Sequence, residues 1–262
     1  MRDDIDPRHD YAEALSGPLP DYLIAVERQT HLKTMAPQML TGRLQGRLLA
    51  MFSSLLRPRR VLELGTFTGY SALCLAEGLA DGGELRTIEG NPETAFWAAQ
   101  NFAASPYADR IRLHVGQAEA ILPTLLDAPF DLIFLDGDKR GYPTYFHQLI
   151  DHLRPGGLLL ADNVLWDGKV SKAGKPDPDV AALRAYNELL SNDPRVEVVV
   201  LPVRDGLSVA RKKQIYSSST LGSRSFTRTG PQNGESKDSS LEKIPTVLYT
   251  PTETSGWRCI SN

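Results

Sequence analysis

The chain has 262 residues, 41% of them apolar, and a formal net charge of −3. That length and apolar share suit one sizeable α/β domain and argue against general disorder, while the slight acidity leaves no electrostatic footprint for nucleic acid. Two cysteines, Cys74 and Cys259, suggest neither a disulfide framework nor a metal–thiolate centre. There is no secretory start and no apolar run near the ~20 residues of a membrane span, so a cytoplasmic protein with no membrane partner is expected.

Residues 1–20 read as a polar N-terminal extension. A helical region then runs from about Asp21 to Leu56, where Leu44, Leu48, Leu49, Phe52, Leu55 and Leu56 recur at helical spacing as an apolar face. From there strands and helices alternate. Arg60 to Gly65 reads as a strand, Ser71 to Leu79 as a helix, and Glu84 to Glu89 as a strand. Pro92 to Ala104 reads as a helix opened by its proline, and Ile111 to Val115 as a strand. Phe130 to Asp136 is almost continuously apolar, the pattern of a strand buried on both faces. Leu158 to Ala161 follows a turn, Arg154-Pro-Gly-Gly157, and Asp179 to Leu190 is helical. Glu197 to Val203 and Leu207 to Arg211 form a last strand pair around Arg204-Asp-Gly206. Such alternation implies a parallel sheet covered by helices, here over residues 21–213. Residues 214–262 are polar, turn-rich and aperiodic. They are expected to be a mostly disordered tail, either without function or a partner-binding segment.

A strand ending in Glu63-Leu-Gly65, then a small-residue turn and a helix, is a nucleotide-type binding device, since ligands of open α/β sheets sit outside the carboxyl ends of the strands. Gly65 and Gly69 are expected to let the backbone approach a ligand with no Cβ in the way. Their Gly-x-x-x-Gly spacing, with an acid two residues ahead, departs from the Gly-x-Gly-x-x-Gly of dinucleotide binders. Glu63 would repel a phosphate and suit a cationic sulfonium that carries an amino group. Glu89 ends the next strand, where a carboxylate can accept both hydroxyls of a ribose. A third strand ends in Gly116-Gln-Ala118, a place for an adenine ring. Taken singly, the acids are polar strand ends and the glycines turn formers; together they favour a binding site.

Two further strand ends carry hard oxygen donors. Phe134-Leu-Asp-Gly-Asp-Lys-Arg140 supplies Asp136, and Leu160-Ala-Asp-Asn-Val164 supplies Asp162 and Asn163. That set suits Mg²⁺ or a similar hard cation, with water and substrate oxygens completing the shell. Lys139 is close enough in sequence to reach an oxygen held there. Alone, Asp162-Asn163 also reads as an Asx turn.

With these residues in place, the chain resembles the cation-dependent O-methyltransferases, the group that includes catechol and caffeoyl-coenzyme A O-methyltransferases. The resemblance runs from about Pro20 to Lys212. It rests on Glu63-Leu-Gly-Thr-Phe-Thr-Gly-Tyr-Ser71, Ile88-Glu89, Phe134-Leu-Asp-Gly-Asp-Lys139 and Ala161-Asp-Asn-Val-Leu-Trp166. It implies a Rossmann-like S-adenosylmethionine (SAM) methyltransferase fold. That fold is a seven-stranded, mostly parallel sheet with an antiparallel terminal strand and helices on both faces. The resemblance also implies that Asp136, Asp162 and Asn163 carry Mg²⁺, Mn²⁺ or Ca²⁺, with Lys139 as general base beside Asp136. Met39, Thr41, Glu63, Gly65, Thr66, Ser71, Glu89, Gln117, Ala118, Asp136 and Asp138 fall on or beside cofactor positions. Of these, Asp138 lies near the methionine end, and Met39 and Thr41 belong to Met39-Leu-Thr-Gly-Arg-Leu-Gln-Gly46, the segment that covers the cofactor. A homodimer and a small ortho-dihydroxy aromatic acceptor are implied too.

The chemistry fits, because two vicinal oxygens can chelate one cation, which lowers the pKa of a hydroxyl and orients it. Other residues read more plainly. Trp166 either walls the acceptor pocket or packs in the core. Tyr142 and Tyr145 read as packing residues, and the five histidines show no ligand spacing. The basic stretch from Trp166 to Lys175 either tolerates an acidic acceptor or is a solvated loop. A NAD-dependent oxidoreductase on a similar sheet is disfavoured by the glycine spacing. A SAM-binding relative with a non-catechol acceptor, or one that has lost activity, is the alternative.

Overall fold

The computed structural model describes residues 7–214 and the short segments 248–251 and 257–260. Seven strands form the main sheet: β1 (Arg60–Leu64), β2 (Glu84–Glu89), β3 (Ile111–Val115), β4 (Phe130–Leu135), β5 (Leu153–Ala161), β6 (Val196–Leu201) and β7 (Leu207–Lys212). Their order is β3-β2-β1-β4-β5-β7-β6. Strands β1 to β5 pair parallel, while β7 runs antiparallel to both β5 and β6. The antiparallel strand is thus the last of the seven in the chain, but it lies between β5 and β6, so β6 takes the edge.

Three helices, α1 (Pro7–Leu15), α2 (Asp21–Lys33) and α3 (Arg43–Leu56), precede the sheet. Five more, α4 (Tyr70–Ala76), α5 (Pro92–Ala103), α6 (Ala118–Leu125), α7 (Tyr142–Leu149) and α8 (Pro178–Asn192), connect its strands. Period-two alternation divides each strand between two cores. Leu62, Leu64, Ile133 and Leu135 cluster with Leu122, Phe146, Leu183 and Tyr186 of α6 to α8. Val61, Leu132 and Phe134 cluster with Leu49, Leu73 and Phe102 of α3 to α5. Helices therefore cover both faces. Among the described residues, no helix is long and apolar enough to cross a membrane.

Three sequence expectations change. The helical region 21–56 is interrupted between α2 and α3. Pro37 disfavours helix at the residue before it, and Gly42 takes a left-handed φ of 80°. The fully buried stripe of α3 is Gln45, Gly46, Leu49, Ala50 and Ser53; of the expected face, Leu49 belongs to it, Leu48, Phe52 and Leu56 pack half-buried against the core, and Leu55 stays 79% exposed. Small residues win this face because α4 packs close against it. A Cβ on Gly78 would overlap the main chain of Ser53 and Ser54. Gly78→Ala should therefore cost about 1–3 kcal/mol, read as a lower denaturant midpoint at unchanged m. Finally, Arg154-Pro-Gly-Gly157 lies inside β5 as an excursion, between the pairs Phe130↔Leu153 and Leu132↔Leu158.

The chain divides into units Met1–Tyr216 and Ser217–Asn262. In the second unit, β8 (Leu248–Pro251) and β9 (Trp257–Ile260) pair antiparallel. The rest of the stretch expected to be a disordered tail, from 215 on, lies outside the described residues.

Candidate functional site

Hydrogen bonding continues one residue past the strand ends. Gly65 N–H donates to Ile88 O (3.0 Å), Asp136 N–H to Leu64 O (2.7 Å), Asp162 N–H to Leu135 O (2.9 Å) and Gly116 N–H to Glu89 O (2.8 Å). Register alone therefore sets Gly65, Glu89, Asp136 and Asp162 side by side at the carboxyl edge, beside the β1/β4 switch point. A cleft of about 730 Å³ opens there.

One half is built on the β1–α4 turn. Gly65 has φ 96° and Gly69 φ 90°. Their missing Cβ atoms make room for protein rather than ligand: at Gly65 a Cβ would overlap the Asp136 carbonyl, and at Gly69 it would lie 2.5 Å from the Phe102 ring. The main-chain N–H groups of Thr66 (3.1 Å) and Phe67 (2.6 Å) donate to one oxygen of Glu89, and that of Asn91 (2.9 Å) donates to the other. Glu89 is thus clamped at the cleft wall by three main-chain donors. Thr66, Ser71, Gln117 and Ala118 line the same half. Met39 and Thr41 line its mouth, and the exposed Asp138 lines the cleft as well.

The other half gathers Asp136, Lys139, Asp162, Asn163 and Trp166. Lys139 Nζ donates to Asp136 Oδ1 (3.0 Å) and to Tyr142 OH (2.9 Å). Burial pushes the Asp136 carboxyl above the usual range, the Asp162 charge adds to this, and Lys139 opposes it. Asp162 is buried, and its Oδ1 accepts from Asn163 N–H at 2.7 Å. Asn163 has φ 61°, a left-handed conformation that asparagine tolerates.

A profile of the O-methyltransferase family matches residues 13–213. The chain belongs to this family. A catechol O-methyltransferase of Niastella koreensis is 35% identical over 174 residues, covering 63% of this chain and 79% of that one. A caffeoyl-CoA O-methyltransferase of Eucalyptus gunnii is 35% identical over 192 residues, covering 68% and 75%. Among solved structures, an O-methyltransferase of Streptomyces achromogenes involved in tomaymycin synthesis, in complex with SAM, superposes with a TM-score of 0.73. It is 33% identical, over 79% of this chain and 96% of that one. An O-methyltransferase of Bacillus cereus in complex with SAH also gives 0.73, at 30% identity over 79% and 97%. The sheet and its helices are those of the Rossmann-like SAM-dependent O-methyltransferases, and the chain is one of these enzymes.

In this O-methyltransferase, one expected cofactor residue stands apart. Glu63 is fully buried and is not on the cleft wall. It shares strand parity with Val61, so it points under α4 and takes hydrogen bonds from Thr87 (2.6 Å) and Ser71. Burial pushes its carboxyl up to about 8. Two residues gain roles that the sequence did not suggest. Tyr142 is more than packing: its hydroxyl accepts from Lys139 and lies 2.9 Å from Leu135 O and 3.2 Å from Asp162 O. An aromatic three residues after the lysine was the available signal. Arg204 lines the cleft from the β6–β7 turn, with partners more than 160 residues away, so no local pattern marks it. Tyr145 also lines the cleft and donates to Glu119 at 2.6 Å. Among the described residues no histidine lies on the cleft, although His9 on α1 has a ligand atom within 4.8 Å of those of Asp10 and Glu13.

Proposed function

We propose that the cleft binds SAM in the half built by Gly65, Ser71, Glu89 and Ala118. In its other half, a divalent cation on Asp136, Asp162 and Asn163 assists methyl transfer to one hydroxyl of a small ortho-dihydroxy aromatic. The observation that carries this is the convergence of the buried Asp162 carboxylate, the half-buried Asp136 carboxylate, an amide oxygen and Lys139 on the wall next to the β1–α4 turn. The donors fit such an ion. They are hard oxygens, and burial with mutual repulsion raises Asp136, a cost that a cation would offset. When bound, the ion would lower the pKa of one acceptor hydroxyl and orient the pair.

The protein's own groups do the rest. Glu89 accepts the ribose hydroxyls. Lys139 Nζ, steered by Asp136 and Tyr142, takes the acceptor proton. The acceptor oxygen forms its bond to the methyl carbon as the carbon–sulfur bond breaks, and SAH leaves. Trp166, on the wall beside Asn163, supports an aromatic acceptor. The relatives named for catechol and caffeoyl-CoA support the acceptor class, and exposed Leu32, Met51 and Leu55 on α2 and α3 support a homodimer.

Catechol with methyl-labelled SAM tests the reading. The methyl ether should form with Mg²⁺, Mn²⁺ or Ca²⁺, and excess chelator should slow it about 10²-fold or more, reversibly. Full activity under chelator would remove the cation from the mechanism. SAH binding without methylation of any vicinal diol would replace the acceptor class.

A further inference from the structure

The turn Arg204-Asp-Gly206 between β6 and β7 touches both walls of the cleft. On one side, the Arg204 guanidinium donates to the main-chain oxygens of Leu40 (2.7 Å), Thr41 and Gln38 (3.5 Å). These residues line the cleft mouth in the segment that joins α2 to α3. On the other side, Asp205 O accepts from Leu165 N–H (2.9 Å) and Gly206 O from Val164 N–H (3.0 Å). The Asp205 carboxylate accepts from Asp167 N–H. That loop directly follows Asp162 and Asn163.

The geometry of this contact suits arginine. The main-chain bonds of the segment itself, Met39 N–H to Ala36 O and Leu40 N–H to Pro37 O, are internal and tie it to nothing else. A guanidinium spreads five donors over a rigid plane and reaches these three carbonyls in one fixed geometry, whereas a lysine ammonium offers three donors on a flexible stem and is less pre-organised to hold them. Arg204 also sits at φ 50°, a conformation that costs a non-glycine residue energy unless other contacts over-determine it.

We infer that Arg204 is a positioning residue for methyl transfer. It clasps the 38–41 segment over the SAM half of the cleft, and through its turn it holds that segment in register with the loop carrying Asn163 and Trp166. The inference rests on the reading that this half takes SAM. Arg204 touches no reacting atom and acts on the fraction of molecules whose mouth segment is closed. A ligand that needs the closed form loses apparent affinity in proportion to that fraction.

SAH is the probe, because its binding needs neither acceptor nor cation. Calorimetry would compare the parent with Arg204→Ala, Arg204→Lys and, as a control, Arg211→Ala, which removes an exposed ion pair to Glu197. Arg204→Ala should weaken SAH about tenfold or more. It should also raise KM for SAM more than it lowers kcat, and speed amide exchange at residues 38–42 with Tm unchanged. Arg204→Lys should recover part of the affinity, and Arg211→Ala should match the parent. An Arg204→Ala affinity within about twofold of the parent overturns the inference. So does a loss accompanied by faster exchange throughout α3 and β1, which would make Arg204 a general stability residue. A parent that fails to bind SAH refutes the SAM reading itself, and the clasp with it.

Discussion

Lys139→Met should lower kcat by about 10² to 10⁴-fold, the usual contribution of a positioned general base. SAH affinity and Tm should stay near those of the parent. The lysine nitrogen is hydrogen-bonded to Asp136 at 3.0 Å, and the Tyr142 hydroxyl fixes it from the other side at 2.9 Å. Tyr142 is itself anchored through Leu135 O and Asp162 O, so the lysine is aimed by the ends of β4 and β5 rather than by a mobile loop. Methionine keeps the length and apolar stem but offers no proton acceptor. The loss should therefore fall on the chemical step, with KM for SAM unchanged, because an interaction that matters only in the transition state appears in kcat. A kcat within about tenfold of the parent would place proton transfer on another group. A matching loss of SAH affinity would make the role of Lys139 electrostatic support of the cofactor.

Much of the site could be read before the fold was known, for a reason rooted in parallel sheets. Strands buried on both faces read as apolar runs, so the first acid after each run marks its carboxyl end. Asp136 and Asp162 are such acids, Glu89 closes the more polar β2, and parallel register then brings the three together. Glu63 stands off the cleft wall because it lies inside its strand rather than past it, so period-two alternation turns it beneath α4. The α3 face was legible in part: Leu49 is on the buried stripe, but close helix approach sets Gly46, Ala50 and Ser53 beside it in place of larger residues. Helix α6 is short and carries Pro123, which hid its period. Arg204 had no readable signal, since its carbonyl partners are main-chain atoms that any residue would supply.

Glu63→Gln should flatten the pH dependence of stability on the alkaline side. The Glu63 carboxyl is fully buried and Oε1 has no hydrogen-bond partner, so ionising it would strand a charge that only the Thr87 and Ser71 hydroxyls oppose. Its pKa accordingly rises from 4.5 to about 8 on folding. Between those values the folded chain holds a proton that the unfolded chain has released. Stability is therefore fully present below about 4.5, falls as pH climbs toward 8, and levels beyond it. The raised Asp136 carboxyl acts with the same sign. Glutamine keeps the shape and cannot ionise. It should match the parent at acidic pH and exceed it at alkaline pH by a few kcal/mol, since each tenfold change in proton affinity between the folded and unfolded chain corresponds to about 1.4 kcal/mol. Urea midpoints of the apo protein across that range decide it, and parallel curves for the two proteins would show that Glu63 ionises as freely folded as unfolded. The consequence reaches the cofactor. While protonated, Glu63 lends no charge to a sulfonium in the cleft, whose own lining acids are Glu89, Asp136, Asp138 and Asp162.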